Sequence, residues 1–347
     1  MVTSISAAGG GDLTVVDDEE RDQSALEWLL TSDEPAIRAR AIRELVGSAG
    51  PDIASQPVPG TKVAALLDGL GPDGAPGSGW AGPQWRLIAL IDLGAETDDP
   101  RFQAAAEWVV DQALKRPQHP GHPTVIDGLH RLCANVEGTA LTVGSRAGLA
   151  GRDDRLRRLA DALIAWQWPD GGRNCHRNAT GRRSSFHESL ATANGLREYF
   201  LATGDQRAAD AAKRTAELFL QHRLIYSLGT GAPSRRQPHP PSTGQVINQR
   251  WQKLGYPSYW HYDVLAALVF LTNIGMVNDP RARDGLDLLN ERRRPDGRWA
   301  ADRQWWTPPG TGSAGQHEVV NWGAAGQPNE MVTFHALRIR RATTRSD

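Results

Sequence analysis

The sequence predicts an all-α protein, an α/α toroid built from helical hairpin repeats. Three observations carry this reading: a recurring Pro-Asp-Gly loop, two alternating kinds of helical segment, and almost no strand signal. The loops are Leu70-Gly71-Pro72-Asp73-Gly74, Gln167-Trp168-Pro169-Asp170-Gly171-Gly172 and Arg294-Pro295-Asp296-Gly297-Arg298-Trp299. Their separations suit two helix pairs of roughly 45–60 residues each.

The first kind of segment is amphipathic and reads as an outer helix. Such helices begin at Asp33-Glu34-Pro35, Asp98-Asp99-Pro100, Asp153-Asp154, Gly204-Asp205 and Asn278-Asp279-Pro280. The acidic residue supplies an N-cap, Asp33 in the first case, and proline suits the first turn. The second kind, at 83–94, 134–149, 187–203, 259–275 and 330–341, is more apolar and reads as inner helices. Outer stripes packed on inner helices close into a toroid; the alternative is an open solenoid of the same hairpins.

Composition bounds the function. The 347 residues carry a net charge of −1, with no basic block for nucleic acid. No apolar run reaches the length of a membrane span. Two cysteines, Cys133 and Cys175, make no disulfide framework. With no signal-peptide pattern at the N-terminus, the expected compartment is the cytoplasm. Residues 1–23, with Gly9-Gly10-Gly11 and an acidic run, read as a disordered leader, 24–59 as an N-terminal helical hairpin, and 60–347 as the toroid. Tryptophan is over-represented, 12 against 6 Phe and 5 Tyr, and most of it falls in loops. Loop tryptophans either wedge elements together or line an aromatic pocket.

The Gln167-Trp168-Pro169-Asp170-Gly171-Gly172 and Pro295-Asp296-Gly297-Arg298-Trp299 loops resemble the QW-type repeats of squalene cyclases and protein prenyltransferase β subunits. The resemblance implies the terpenoid-cyclase/prenyltransferase α/α toroid over roughly residues 60–340, the short loops carrying the motif. The acidic signatures of the cyclases, Asp-x-Asp-Asp and Asp-Asp-x-x-Asp, do not occur. Asp170, Cys175 and His187 only loosely echo the Asp/Cys/His zinc set of the prenyltransferases. Polysaccharide lyases and some glycosidases also use α/α toroids, so the fold implies no single chemistry.

Candidate site residues fall where loops enter the inner helices. Four successive inner helices open with a carboxylate: Glu137, Glu188, Asp263 and Glu330. Each also suits a helix cap, and Ser185…Glu188 fits a capping box. Asp263 ranks first as general acid or base, then His187, then Glu137, with Glu188 and Glu330 beside them. Trp80, Trp260, His261, Trp322, Asn329 and His335 are the expected substrate contacts. No cofactor is expected foremost. Zinc on Cys175, His187 and His261 is the alternative, with Cys133 or Asp263 in reserve.

The Pro/Gly-rich segment 223–257 is expected to form a flap over the bore. Arg182-Arg183 and Arg235-Arg236 could grip an anion, although solvated surface arginines are the simpler account. The expected function is terpenoid-cyclase-like acid/base chemistry on a small organic molecule, a lyase or isomerase reaction in a Trp-lined cavity. The alternatives are a carbohydrate-active lyase or hydrolase and a non-catalytic binding module. The sequence gives no oligomeric state.

Overall fold

The computed structural model describes residues 13–47, 60–74, 81–116, 124–177, 181, 183–229, 242–310 and 317–344. Among them are twelve α-helices, and strands are confined to two short antiparallel pairs. The even-numbered helices are α2 (Pro35–Ala41, continued by a π-helical turn, Ile42–Val46), α4 (Pro83–Leu93), α6 (Asn135–Arg146), α8 (Phe186–Thr203), α10 (Val264–Asn273) and α12 (Glu330–Thr344). The odd-numbered ones are α1 (Leu13–Leu30), α3 (Thr61–Leu67), α5 (Pro100–Lys115), α7 (Arg155–Ala165), α9 (Gln206–Gln221) and α11 (Arg283–Glu291).

The even helices touch in chain order, α2 to α4, then α6, α8, α10 and α12, and α12 touches α2 again. The odd helices α1 to α9 each pack on the even helix that follows, whereas α11 packs on α10 before it and α12 packs on α1. Sequence explains the layering. In α5 the buried set Phe102, Ala105, Ala106, Val109, Val110 and Ala113 forms one helical face. In α6, by contrast, an unbroken run from Glu137 to Ser145 is buried, so the helix has no solvent side.

Small residues set the closest approach. A Cβ on Gly195 of α8 would lie 2.4 Å from the Gly138 carbonyl oxygen of α6, and one on Gly138 would lie 2.7 Å from the Ala191 carbonyl oxygen. The two backbones therefore meet with no side chain between them.

The Pro-Asp-Gly loops each brace the next odd helix. A Cβ on Gly171, which has φ +89°, would meet the Arg214 carbonyl oxygen of α9 at 2.2 Å. One on Gly297, at φ +80°, would meet the Arg21 carbonyl oxygen of α1 at 2.1 Å. Only glycine serves both demands, positive φ and backbone approach. The adjoining tryptophans are wedges. Trp168 is buried and its indole donates to the His130 carbonyl at 2.9 Å; that of Trp299 donates to the Leu289 carbonyl at 2.7 Å. Asp170 holds the turn, accepting from the Gly172 amide at 3.0 Å and the Ser184 hydroxyl at 2.8 Å.

The structure differs from the sequence reading at the N-terminal end. Residues 13–23, expected in a disordered leader, lie within α1. Asp18 and Asp22 pair with Arg293, which immobilises that stretch. α2, expected as an outer helix, lies among the even helices. Asp33 does not cap it: the N-cap residue is Glu34, whose carboxylate turns away to accept the Lys62 amide at 2.9 Å. Within 223–257, the described residues form an antiparallel ribbon, Tyr226–Leu228 with Ser242–Val246, followed by a 3-10 turn at Gln249–Gln252. Arg182, Arg235 and Arg236 lie outside the described residues. No helix among the described residues is long and apolar enough to cross a membrane.

Two substitutions test this account by chemical denaturation. Gly195→Ala forces α6 and α8 apart and should lower stability by about 1–3 kcal/mol. Asp170→Ala removes two hydrogen bonds from a partly solvated turn and should cost about 1 kcal/mol. An unchanged denaturation midpoint in either variant would remove the corresponding brace.

Candidate functional site

All six even helices contribute to one cavity of about 360 Å³, within the size range of small-molecule sites. One end is aromatic. Trp85 of α4 packs against Tyr259 with ring centroids 5.4 Å apart, and Trp260 lies beside them in the loop entering α10. The wall beyond is charged. Arg40 and Arg43 come from α2 and its π turn, Arg146 from α6, Arg197 from α8 and Arg338 from α12. Three carboxylates face them, Glu44, Asp92 and Glu198. Arg43 and Arg146 form the exposed rim, with 56% and 44% of their side chains accessible.

Asp92 organises this wall. It sits near the end of α4 and accepts from the Tyr256 hydroxyl at 2.9 Å and from Arg40 at 3.2 Å; His335 Nε2 lies 3.2 Å away. Burial alone would raise its pKa, but His335, Arg40 and Tyr256 outweigh burial and hold it well below the usual carboxylate range. The tyrosine pays the converse: burial and the neighbouring Asp92 charge push its hydroxyl well above its ordinary value. Arg40 bonds Glu44 at 2.8 Å, and Arg338 bridges Glu44 at 2.8 Å and the Asn273 side chain at 3.0 Å. Arg197 pairs with Glu198 and donates to the Asn273 carbonyl at 3.3 Å.

Of the residues expected from sequence, Trp260 and His335 line this cavity. Three others gather at the N-terminal ends of α8 and α10. Asp263 is the N-cap of α10, buried, accepting from the Ala266 amide at 2.9 Å and the Gly255 amide at 3.0 Å. Burial raises its pKa to about 6, against the opposing pull of those amides and of Arg303. His187 uses Nδ1 to accept the Tyr262 amide at 2.7 Å. His261 lies between Trp260, at 4.1 Å between centroids, and Trp305, at 3.4 Å and near-parallel. Burial lowers His187 to about 4, with Arg303 adding to it, and lowers His261 to about 3, with His187 adding to it. Both imidazoles are therefore neutral near pH 7.

The remaining residues are dispersed. Glu137 is buried and paired with Arg116 at 3.0 Å, and burial raises its pKa to about 7 in spite of that partner. Glu330 is half-buried, 3.9 Å from Lys62 Nζ. Asn329 is a cap: its oxygen accepts the Met331 and Val332 amides at 3.1 and 3.0 Å, and its amide donates to the Trp322 carbonyl. Trp322 is buried edge-on to Tyr256, 5.3 Å between centroids. Trp80 lies outside the described residues. Glu188 does not complete the capping box, since Ser185 makes no side-chain cap bond; it lies instead beside Cys133 and Cys175. Burial and Glu188 push the Cys175 thiol up to about 12. Cys175, His187 and His261 form no ligand cluster among the described residues.

The sequence reading passed over Asp92, Arg40, Tyr256, Arg197, Glu198 and Arg338. A signal existed for Asp92: it is the one charge in the apolar run Leu87-Ile88-Ala89-Leu90-Ile91-Asp92-Leu93. Charges late in inner helices, rather than in their first turns, mark the cavity. The chain matches no known protein family, and no curated protein matches it.

Asp263 offers a pH test. Its folded pKa of about 6 lies above the ordinary carboxyl value of about 3.9. The folded state therefore binds this proton more tightly, and the stabilisation is present at low pH and lost as pH rises through about 6. Between pH 7 and pH 5, wild type should gain on the order of 1 kcal/mol relative to Asp263→Asn. Parallel stability profiles for the two proteins over that range would contradict the assignment.

Proposed function

We propose that the twelve helices form a closed α/α toroid of six hairpins, α1 to α12, and that the protein is an enzyme acting in its bore on a small, polar, anionic organic substrate. The substrate class that suits the wall is a uronate-bearing sugar, and the reaction an acid/base elimination or hydrolysis. The cyclic contacts of the even helices support the toroid. One observation carries the substrate class: five arginines face the cavity against three carboxylates. Arginine forks bind carboxylates bidentately, and the Trp85/Tyr259/Trp260 end offers a face for a sugar ring.

The same wall argues against the terpenoid reading. A carbocation is stabilised by aromatic faces and carboxylates, whereas surplus arginines raise its energy. Removing a proton adjacent to a carboxylate builds negative charge, which arginines stabilise. In this reading Arg197 and Arg338 hold the substrate carboxylate. Asp92, fixed as an anion by His335 and Arg40, orients its partner Tyr256, whose hydroxyl is the group that exchanges the proton with the substrate.

The test uses calorimetric titration with an oligogalacturonate, its neutral counterpart and an isoprenyl alcohol. The acidic sugar should bind and the other two should not. Arg197→Met and Arg338→Met should each weaken binding about 10- to 100-fold. Turnover, followed by the near-ultraviolet absorbance of an unsaturated uronate or by new reducing ends, should vanish in Asp92→Asn. Preference for the isoprenyl compound would restore the terpenoid reading. Tight binding of the acidic sugar without turnover would make the bore a recognition site only.

A further inference from the structure

We propose a zinc site, separate from the cavity, formed by Cys133, Cys175 and Glu188. Their ligand atoms lie within 4.8 Å of one another, with Cys133 Sγ 4.0 Å from Glu188 Oε1. A tetrahedral ion with metal–sulfur bonds of about 2.3 Å and metal–oxygen bonds of about 2.0–2.2 Å needs donors this close together. The three residues come from separate places: Cys133 just before α6, Cys175 in the loop after the second Pro-Asp-Gly turn, and Glu188 in the first turn of α8.

Glu188 supplies the independent evidence. It is only 6% exposed, and its Oε2 has no hydrogen-bond partner among the described residues. A carboxylate in a first helical turn ordinarily serves the free amides there, and Ser185 stands at the right spacing for that exchange. Here the local cap is not made: the side chain turns to the two thiols and the Cys175 amide, and Oε2 is left over. Burial opposes the charge of this carboxyl, and a cation between it and the thiols would compensate for the lost water.

The donor set selects the metal. Two thiolates exclude the hard ions magnesium and calcium in favour of zinc. Two thiolates and a carboxylate give the ion one surplus negative charge, and Arg116, which donates to the Cys133 carbonyl at 3.4 Å, stands beside it. Three protein ligands leave a fourth position, and the exposure of Cys133 gives it access to solvent. The set differs from Cys175, His187 and His261 because His187 and His261 are taken up with the Tyr262 amide and the tryptophan stack.

The experiment uses the full chain, reduced, stripped with a chelator and titrated with Zn²⁺, and with Co²⁺ as a spectroscopic probe. One equivalent should bind, Co²⁺ should give a thiolate charge-transfer band in the near ultraviolet, and Zn²⁺ should raise the melting temperature. The chain has two cysteines in all, so Cys133→Ser/Cys175→Ser should abolish the band. Glu188→Gln preserves volume and should weaken affinity about 100-fold, the upper end of what even outer-shell partners cost. It decides the matter if the double variant does not fold. His187→Ala should bind as wild type does. A folded wild-type chain with no charge-transfer band overturns the proposal, as does unchanged affinity in Glu188→Gln. Loss of binding in His187→Ala overturns it in favour of the other ligand set.

Discussion

The Asp92 carboxylate is the constraint on which the rest of the molecule depends. It joins three helices and a loop that are far apart in sequence: α2 through Arg40, α12 through His335, its own α4, and the segment before α10 through Tyr256. A half-buried carboxylate at a cavity wall needs partners that compensate for lost water, and each partner here belongs to a different element. The last even helix is thereby fixed to the first, and the cavity wall is fixed by the same contacts. Stability and site geometry are not separable at this position.

The charged wall holds its arginines and carboxylates in a helical core by sharing them among ion pairs. Glu44 is shared by Arg40 and Arg338, and Glu198 by Arg146 and Arg197. These pairs leave two arginines in excess of carboxylates. That surplus is what a bound anion would neutralise.

Much of the layering was legible in the sequence, because it rests on local signals. The starts of α5, α9 and α11's leading turn follow Asp99, Asp205 and Asp279, and each of these carboxylates caps an amide two residues on. The apolar inner segments became α4, α6, α8, α10 and α12. α2 misled because seven residues and a π turn show too short a pattern to betray that both faces are used. The cavity was less legible. First-turn carboxylates attract attention as caps or catalysts, and capping is what Asp263 does. Asp92, Tyr256 and His335 lie 164 and 243 residues apart along the chain from Asp92, and no local pattern links them. Only the packing of α2, α4 and α12 with the segment before α10 brings them together.

The Gly297 loop has a consequence for biosynthesis. Its brace is α1, made well before it, and Arg293 and Arg340 hold Asp18 and Asp22 across 275 and 318 residues of chain. A nascent chain leaving the ribosome can form the intermediate hairpins in order as they emerge. The full set of α1 contacts with Arg293 and Arg340 must wait until α12 is released, when closing so long a loop adds little further entropy cost per residue. α1 is thus made long before the partners that hold it.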